Sequence, residues 1–148
     1  MSDIQISEMT LSDLEEIKTN LSDNFDDFWS YNVFKSELSN IYSKYVVARQ
    51  YGNIIGFAGM QIILDEGNIM NIVTKTENRK LGIATLMLNE LLSIAKKSKL
   101  RLINLEVNDK NLAALHLYEK FGFKQVGLRK KYYNNTDNAI LMTLDLTV

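Results

Sequence analysis

Between Asn78 and Ala84 the chain reads Asn-Arg-Lys-Leu-Gly-Ile-Ala, a small-residue turn with two cations ahead of an amphipathic run. If that run is a helix, several backbone N–H groups at its start have no partner, and the positive end of the helix dipole lies behind them. Arg79 and Lys80 add charge at the same place. Such a site binds phosphate or pyrophosphate without a metal. The pattern Gly-x-x-x-x-Gly-Lys-Ser/Thr is absent, so the ligand expected is a pyrophosphate-bearing cofactor rather than a nucleotide whose terminal phosphate is cleaved. Cysteine is also absent, which excludes a disulfide framework, a Cys-rich metal site and a thiol-borne acyl intermediate. The only histidine, His116, reads as a helix-surface residue with no ligand cluster around it.

The elements that must position this turn are legible from periodicity. Ile4-Gln5-Ile6 alternates as a short strand, and Thr10 to Asp13 resembles a capping box ahead of a helical stripe of Leu11, Leu14, Ile17 and Leu21. Ser30 is placed to cap a second short helix carrying Val33, Phe34 and Leu38. Tyr45–Arg49 and Ile54–Leu64 read as strands joined by a hairpin at Gln50 to Asn53, and Asp65-Glu66-Gly67 turns the chain into a strand from Asn68 to Thr74. After the cationic turn, Ala84, Leu88, Leu91 and Ala95 share one helical face. Leu102–Val107 is the next strand and Asn111–Phe121 the next helix, with Ala114, Leu117 and Phe121 inward and Gly122 as its left-handed stop. Phe123–Lys130 and Ala139–Leu146 form a last antiparallel pair. The order β-α-α-β-β-β-α-β-α-β-β predicts an α/β fold with a mixed sheet and helices on its faces. The strands before and after the cationic turn should run parallel, with the ligand where their carboxyl ends open.

With 148 residues and 46% apolar content, residues 1–148 are expected to form one domain, able to bury roughly two thirds of its unfolded surface. The net charge of −1, from 17 basic and 18 acidic residues without a basic stripe, argues against direct nucleic-acid binding. No apolar run approaches the ~20 residues of a membrane span, and the first residues carry no export signal. A cytoplasmic enzyme, monomeric or a weak dimer and independent of membranes, is the expectation.

Longer motifs narrow this reading. Arg79-x-x-Gly82-x-Ala84 matches the Gln/Arg-x-x-Gly-x-Gly/Ala signature of the GNAT superfamily of N-acetyltransferases. Leu105-Glu106-Val107 is followed by Asn111, Ala113-Ala114, Leu117-Tyr118-Glu119 and Phe121-Gly122-Phe123, then by Tyr132-Tyr133 and Ala139-Ile140-Leu141-Met142. Together these resemble the ribosomal-protein-alanine N-acetyltransferase (RimI-type) branch, and the resemblance runs from Ile4 to Leu146. Ala84 in place of the commoner glycine is within the signature. Lys75-Thr76 replaces a common Asp-Pro, and the segment from Asn134 to Asn138 is short for the branch.

The resemblance implies acetyl-CoA as co-substrate and no metal. It implies that Arg79, Lys80, Leu81, Gly82, Ile83, Ala84 and Thr85 hold the pyrophosphate. Ile72, Val73 and Thr74 would offer main-chain groups to the acetyl and pantetheine portions, and Asn111 would add a side-chain hydrogen bond to CoA besides capping its helix. Glu106 would take the amine proton, through water, and Tyr118 would protonate the CoA sulfur. Residue chemistry is compatible with these roles. Apolar neighbours Leu105 and Val107 suggest burial that would raise Glu106 toward a working base. A phenol of pKa ~10 is a reasonable donor to a thiolate whose thiol titrates near ~8.5. The plainer alternative makes Glu106 a strand-end carboxylate paired with a nearby lysine, and Tyr118 a core aromatic. Without cysteine, transfer is expected to be direct, within a ternary complex.

The acceptor can be weighed physically. At pH 7 an α-amine is ~10–20% neutral and a lysine side chain under ~0.1%, so a modest base suits the α-amine. Asp23, Asp26 and Asp27 precede Phe28 and Trp29, an acidic and aromatic approach for a cationic peptide terminus. Tyr132 and Tyr133 resemble the family's peptide-clasping aromatics. The expected substrate is a protein N-terminus, foremost an alanine of a small-subunit ribosomal protein. The alternatives are a small amine or lysine as acceptor, or a non-catalytic acyl-CoA-binding domain.

Overall fold

Ile54 to Met60 are buried without a break, so this strand lies in the middle of the sheet and is covered on both faces. The computed structural model describes residues 3–18, 31–75, 82–133 and 136–147. Its elements are β1 (Ile4–Glu8), α1 (Leu11–Ile17), α2 (Tyr31–Leu38), β2 (Ser43–Gln50), β3 (Asn53–Ile63), β4 (Glu66–Thr74), α3 (Ile83–Lys97), β5 (Leu102–Asn108), α4 (Leu112–Lys120), β6 (Lys124–Tyr133) and β7 (Asp137–Asp145). The order matches the one read from the sequence. One seven-stranded sheet runs β1-β2-β3-β4-β5-β7-β6, antiparallel except between β4 and β5.

Local chemistry explains most boundaries. Thr10 and Asp13 close a reciprocal capping box, Thr10 N–H donating to Asp13 Oδ2 at 2.8 Å and Asp13 N–H to Thr10 Oγ1 at 3.2 Å. Leu14 and Ile17 are buried as expected, whereas Leu11 is half exposed and Leu21 and Ser30 lie outside the described residues. The β2–β3 hairpin turns on Tyr51 and Gly52, both at positive φ, which matches the twist of the flanking strands. The next turn is Leu64-Asp65 rather than Asp65 to Gly67, because Ile63 already pairs with Glu66 and the strand starts there. Gly122 has φ +99° and stops α4, a conformation a side chain would strain. His116 is exposed on α4. Among the described residues no helix is long and apolar enough to cross a membrane.

Strand alternation divides the core in two. Val46, Ala48, Ala58 and Met60 face α3, whose Ile83, Met87, Leu88, Leu91 and Ala95 are buried against them together with Leu105 and Val107 of β5. Tyr45, Val47 and Phe57 face the other way, onto Leu14 and Ile17 of α1 and Phe34 of α2. Phe34 packs on both Tyr45 and Phe57, at ring-centroid distances of 5.1 and 5.4 Å.

Helix α1 is tied to the β2–β3 hairpin by Arg49. Its guanidinium donates to Asp13 Oδ1 at 2.6 Å, to Glu16 Oε2 at 2.7 Å and to the Gly52 carbonyl at 2.6 Å. Burial alone would raise the Asp13 carboxyl, but the Thr10 N–H, Arg49 and the Thr10 hydroxyl outweigh it and hold it below its ordinary 3.8. A carboxyl depressed in the folded state stabilises the fold above its unfolded value, and that contribution is lost as pH falls through the folded one. Arg49→Met is therefore expected to cost about 1–2 kcal/mol at pH 7. The difference from wild type should narrow below about pH 4, as urea midpoints measured at pH 7 and pH 3 would show.

The feature that makes a site is a failure of pairing. β4 and β5 are joined only by Glu66↔Leu102, Gly67↔Ile103 and Asn68↔Asn104. Beyond these pairs, among the described residues, β4 pairs only with β3 and β5 only with β7, so their carboxyl halves part. A bulge adds to the separation: Met60 pairs with Ile69 and Gly59 with Asn71, leaving Met70 as the extra residue.

Candidate functional site

The gap between β4 and β5 opens on one face into a cleft of about 720 Å³ floored by Asn68–Asn71 and Asn104–Glu106 and walled by β6 and β7. Its closed end is latched. Asn104 Nδ2 donates to Glu66 Oε1 at 3.2 Å and to Asn68 Oδ1 at 3.4 Å, while the Thr143 hydroxyl donates to Asn104 Oδ1 at 2.7 Å. These bonds stand where the parallel ladder ends, and they set the point from which the strands diverge.

Glu106 projects into this cleft. Leu105 and Val107 are buried, but successive strand residues face opposite sides, so their burial does not extend to Glu106. Its side chain is 33% accessible, and Oε1 lies 3.4 Å from Nη1 of Arg129 on β6. The expected burial is thus absent, and the pairing cation is an arginine rather than a lysine. The Arg129 guanidinium also lies 5.5 Å from the ring centroid of Tyr132, so the cleft's outer wall is a Glu–Arg–Tyr series.

Tyr118 is on the other side of β5. It is buried on α4, in the same cluster as Leu105 and Val107, with its ring 5.8 Å from that of Phe123. Glu106 and Tyr118 therefore do not share one cleft. They lie on opposite faces of the sheet, which is the arrangement needed if two reactants enter from opposite sides.

Ile72, Val73 and Thr74 form the carboxyl end of β4. They pair with Ala58, Phe57 and Gly56 of β3, and their other edge has no ladder partner among the described residues. Main-chain groups on that edge are available to an extended ligand, as a further strand would use them. The head of α3 follows. Gly82 is its N-cap at φ +75°, a left-handed conformation suited to glycine, and no side chain among the described residues caps the helix. Ile83 is buried and anchors the first turn, with Ala84 and Thr85 partly accessible beside it, so the first N–H groups can hold a phosphate. Asn111 caps α4, its Oδ1 accepting from Ala114 N–H at 3.1 Å. Arg79, Lys80, Leu81, Phe28, Trp29 and the Tyr133 side chain lie outside the described residues. Among the described residues no cluster of His, Asp or Glu could hold a metal ion.

Reading the sequence missed Asn71, Asn104 and Arg129. Asn104 and Arg129 act through strands distant in sequence, and only the β5-β7-β6 order brings Arg129 near Glu106.

Comparison with known proteins agrees with this geometry. The model of the acetyltransferase (GNAT) family matches residues 8–123. The [ribosomal protein bS18]-alanine N-acetyltransferase of Escherichia coli K12 is 32% identical over 123 residues, covering 81% of this chain and 82% of that protein. The N-alpha-acetyltransferase RimI of Mycobacterium tuberculosis is 36% identical over 112 residues, covering 73% and 69%. The crystal structure of the Escherichia coli ribosomal-protein-S18-alanine N-acetyltransferase superposes with a TM-score of 0.89 at 28% identity, over 98% of this chain and 95% of that one. The parted β4 and β5, the uncapped head of α3 and these matches together place the chain in the acetyltransferase (GNAT) family.

Proposed function

We propose that the protein transfers the acetyl group of acetyl-CoA to the N-terminal α-amine of a protein in the cytoplasm, foremost an N-terminal alanine of a small-subunit ribosomal protein. The observation that carries this reading is the gap between β4 and β5, with Glu106 on one face, Tyr118 on the other and the uncapped head of α3 at its end. The names and activities of the relatives support the choice of acceptor.

In this reading the head of α3, with Arg79 and Lys80, takes the pyrophosphate, and the open edge of Ile72–Thr74 aligns the pantetheine and polarises the thioester carbonyl. The α-amine enters from the cleft face that Tyr132 lines, with Tyr133, Phe28 and Trp29 as the other residues assigned to the peptide. Glu106 accepts its proton through water as the N–C bond forms, and Tyr118 returns a proton to the sulfur as the C–S bond breaks. A carboxylate is sufficient because ~10–20% of an α-amine is already neutral at pH 7.

Two matched peptides test the acceptor: one with a free N-terminal Ala and no lysine, the other with a blocked N-terminus and an internal lysine. Transfer from acetyl-CoA to the first alone is expected. Transfer to the second alone overturns the α-amine reading, and silence on both points to a small amine or to a binding role.

A further inference from the structure

Three neighbouring strands contribute one row of residues on the cleft face. Tyr45 of β2 is the register partner of Gly59 of β3, and Gly59 that of Asn71 of β4. The Tyr45 ring occupies the space a side chain on Gly59 would take, since a Cβ there would stand 1.9 Å from the ring. The ring thus lies across β3, and its hydroxyl comes up to the Asn71 amide. The Met70 bulge is what turns Asn71 toward this side, after Ile69 has packed on the α3 side.

Both polar ends of this row are buried: Asn71 Nδ2 faces the Tyr45 hydroxyl as its donor, outside normal hydrogen-bond geometry, and neither atom has another partner among the described residues. Buried donors are rarely left unpaired, and each such group calls for a reason. Asn71 nevertheless lines the cleft that holds Glu106. With its nitrogen turned inward beside the phenol, the carbonyl oxygen is the polar atom left to face the cleft. Burial first, and then the Glu37 carboxylate, push the Tyr45 hydroxyl up, with Asn71 acting weakly the other way, so the ring stays a neutral phenol beside the amide.

We propose that Asn71 is a further substrate-binding residue, whose side-chain carbonyl accepts a hydrogen bond from the incoming amine, and that Tyr45, lying across Gly59, holds the amide in that orientation. This rests on the α-amine reading above. An attacking amine directs its lone pair at the thioester carbon, so its N–H bonds need acceptors. An amide carbonyl supplies one without taking a proton, and therefore does not compete with Glu106. Being neutral, it also orients the amine without favouring the unreactive ammonium. A carboxylate at the same place would favour it. Glu106 and Arg129, already paired, are the only charged residues among the described lining of the cleft.

Steady-state kinetics with acetyl-CoA and the lysine-free Ala peptide test this. Asn71→Ala is expected to lower kcat/KM for the peptide about tenfold, with KM for acetyl-CoA unchanged. Tyr45→Phe keeps the ring over Gly59 and should lower the same constant about threefold, again without affecting acetyl-CoA. Asn71→Asp retains an acceptor of similar shape but adds charge. It should lower KM for the peptide and move the rising limb of kcat against pH upward by about one unit. An unshifted limb in Asn71→Asp overturns the proposal. So does a wild-type peptide kcat/KM in Asn71→Ala, or a matching loss of acetyl-CoA affinity. If the wild-type enzyme ignores the Ala peptide, the α-amine reading fails and the proposal fails with it. If the wild type acetylates the peptide and Asn71→Ala does so equally well, only the role of Asn71 is refuted.

Discussion

Glu106→Gln is expected to lower kcat for peptide acetylation by about 100- to 10,000-fold, the range in which a positioned general base contributes. Glutamine keeps the size and the hydrogen-bonding reach of the side chain but accepts no proton. Acetyl-CoA should bind the variant as it binds the wild type, because Glu106 faces the cleft while the edge of β4 and the head of α3 lie elsewhere. The exchange also removes the partner of Arg129 at 3.4 Å. That pair is solvent-accessible, so its loss should change stability by under about 1 kcal/mol. Calorimetric titration with acetyl-CoA beside single-turnover transfer separates the two effects. Wild-type turnover in Glu106→Gln would remove the base from the mechanism and leave Glu106 as a strand-end carboxylate in an ion pair. Tyr118→Phe is the companion measurement: it keeps the packing on Phe123 and deletes only the hydroxyl. An unchanged kcat and pH profile there would dismiss the phenol as the acid.

The second large effect is on stability. Gly59→Ala should destabilise the fold by about 3 kcal/mol, the upper range for inserting a methyl group into a packed core. The added Cβ would fall 1.9 Å from the Tyr45 ring, and the ring cannot swing aside cheaply because Phe34 packs against it at 5.1 Å. For a chain of this size the loss corresponds to a fall in Tm of roughly 10 °C. Tyr45→Ala costs stability by leaving a cavity, yet in the Gly59→Ala background it removes the clash. The double variant should therefore be more stable than the sum of the single effects, by more than about 1 kcal/mol. Urea denaturation of the four proteins measures this coupling. A Gly59→Ala variant within about 1 kcal/mol of wild type would mean that the Tyr45 ring does not depend on the space above Gly59.

What the sequence by itself determined is what residues a few positions apart decide between themselves. The Thr10–Asp13 box, the Tyr51-Gly52 turn, the Asn111 cap and the Gly122 stop each involve groups within about one turn of chain, and their chemistry is legible without knowing the fold. The order of elements follows, since apolar periodicity distinguishes strand from helix, and so does the candidate phosphate site at the head of α3. The site's interior was decided elsewhere. Glu106 looked buried because Leu105 and Val107 are apolar, but the pleat of β5 sends neighbours to opposite faces and puts the carboxylate in the cleft. Its separation from Tyr118 by the sheet has the same cause. Arg129 meets Glu106 only because β7 lies between β5 and β6, and Asn104 latches β4 to β5 only in the register that pairs it with Asn68. The Tyr45–Gly59–Asn71 row requires two strand registers and a bulge to agree. Strand register depends on contacts between residues far apart in the chain, and a one-residue slip would turn every one of these side chains to the other face.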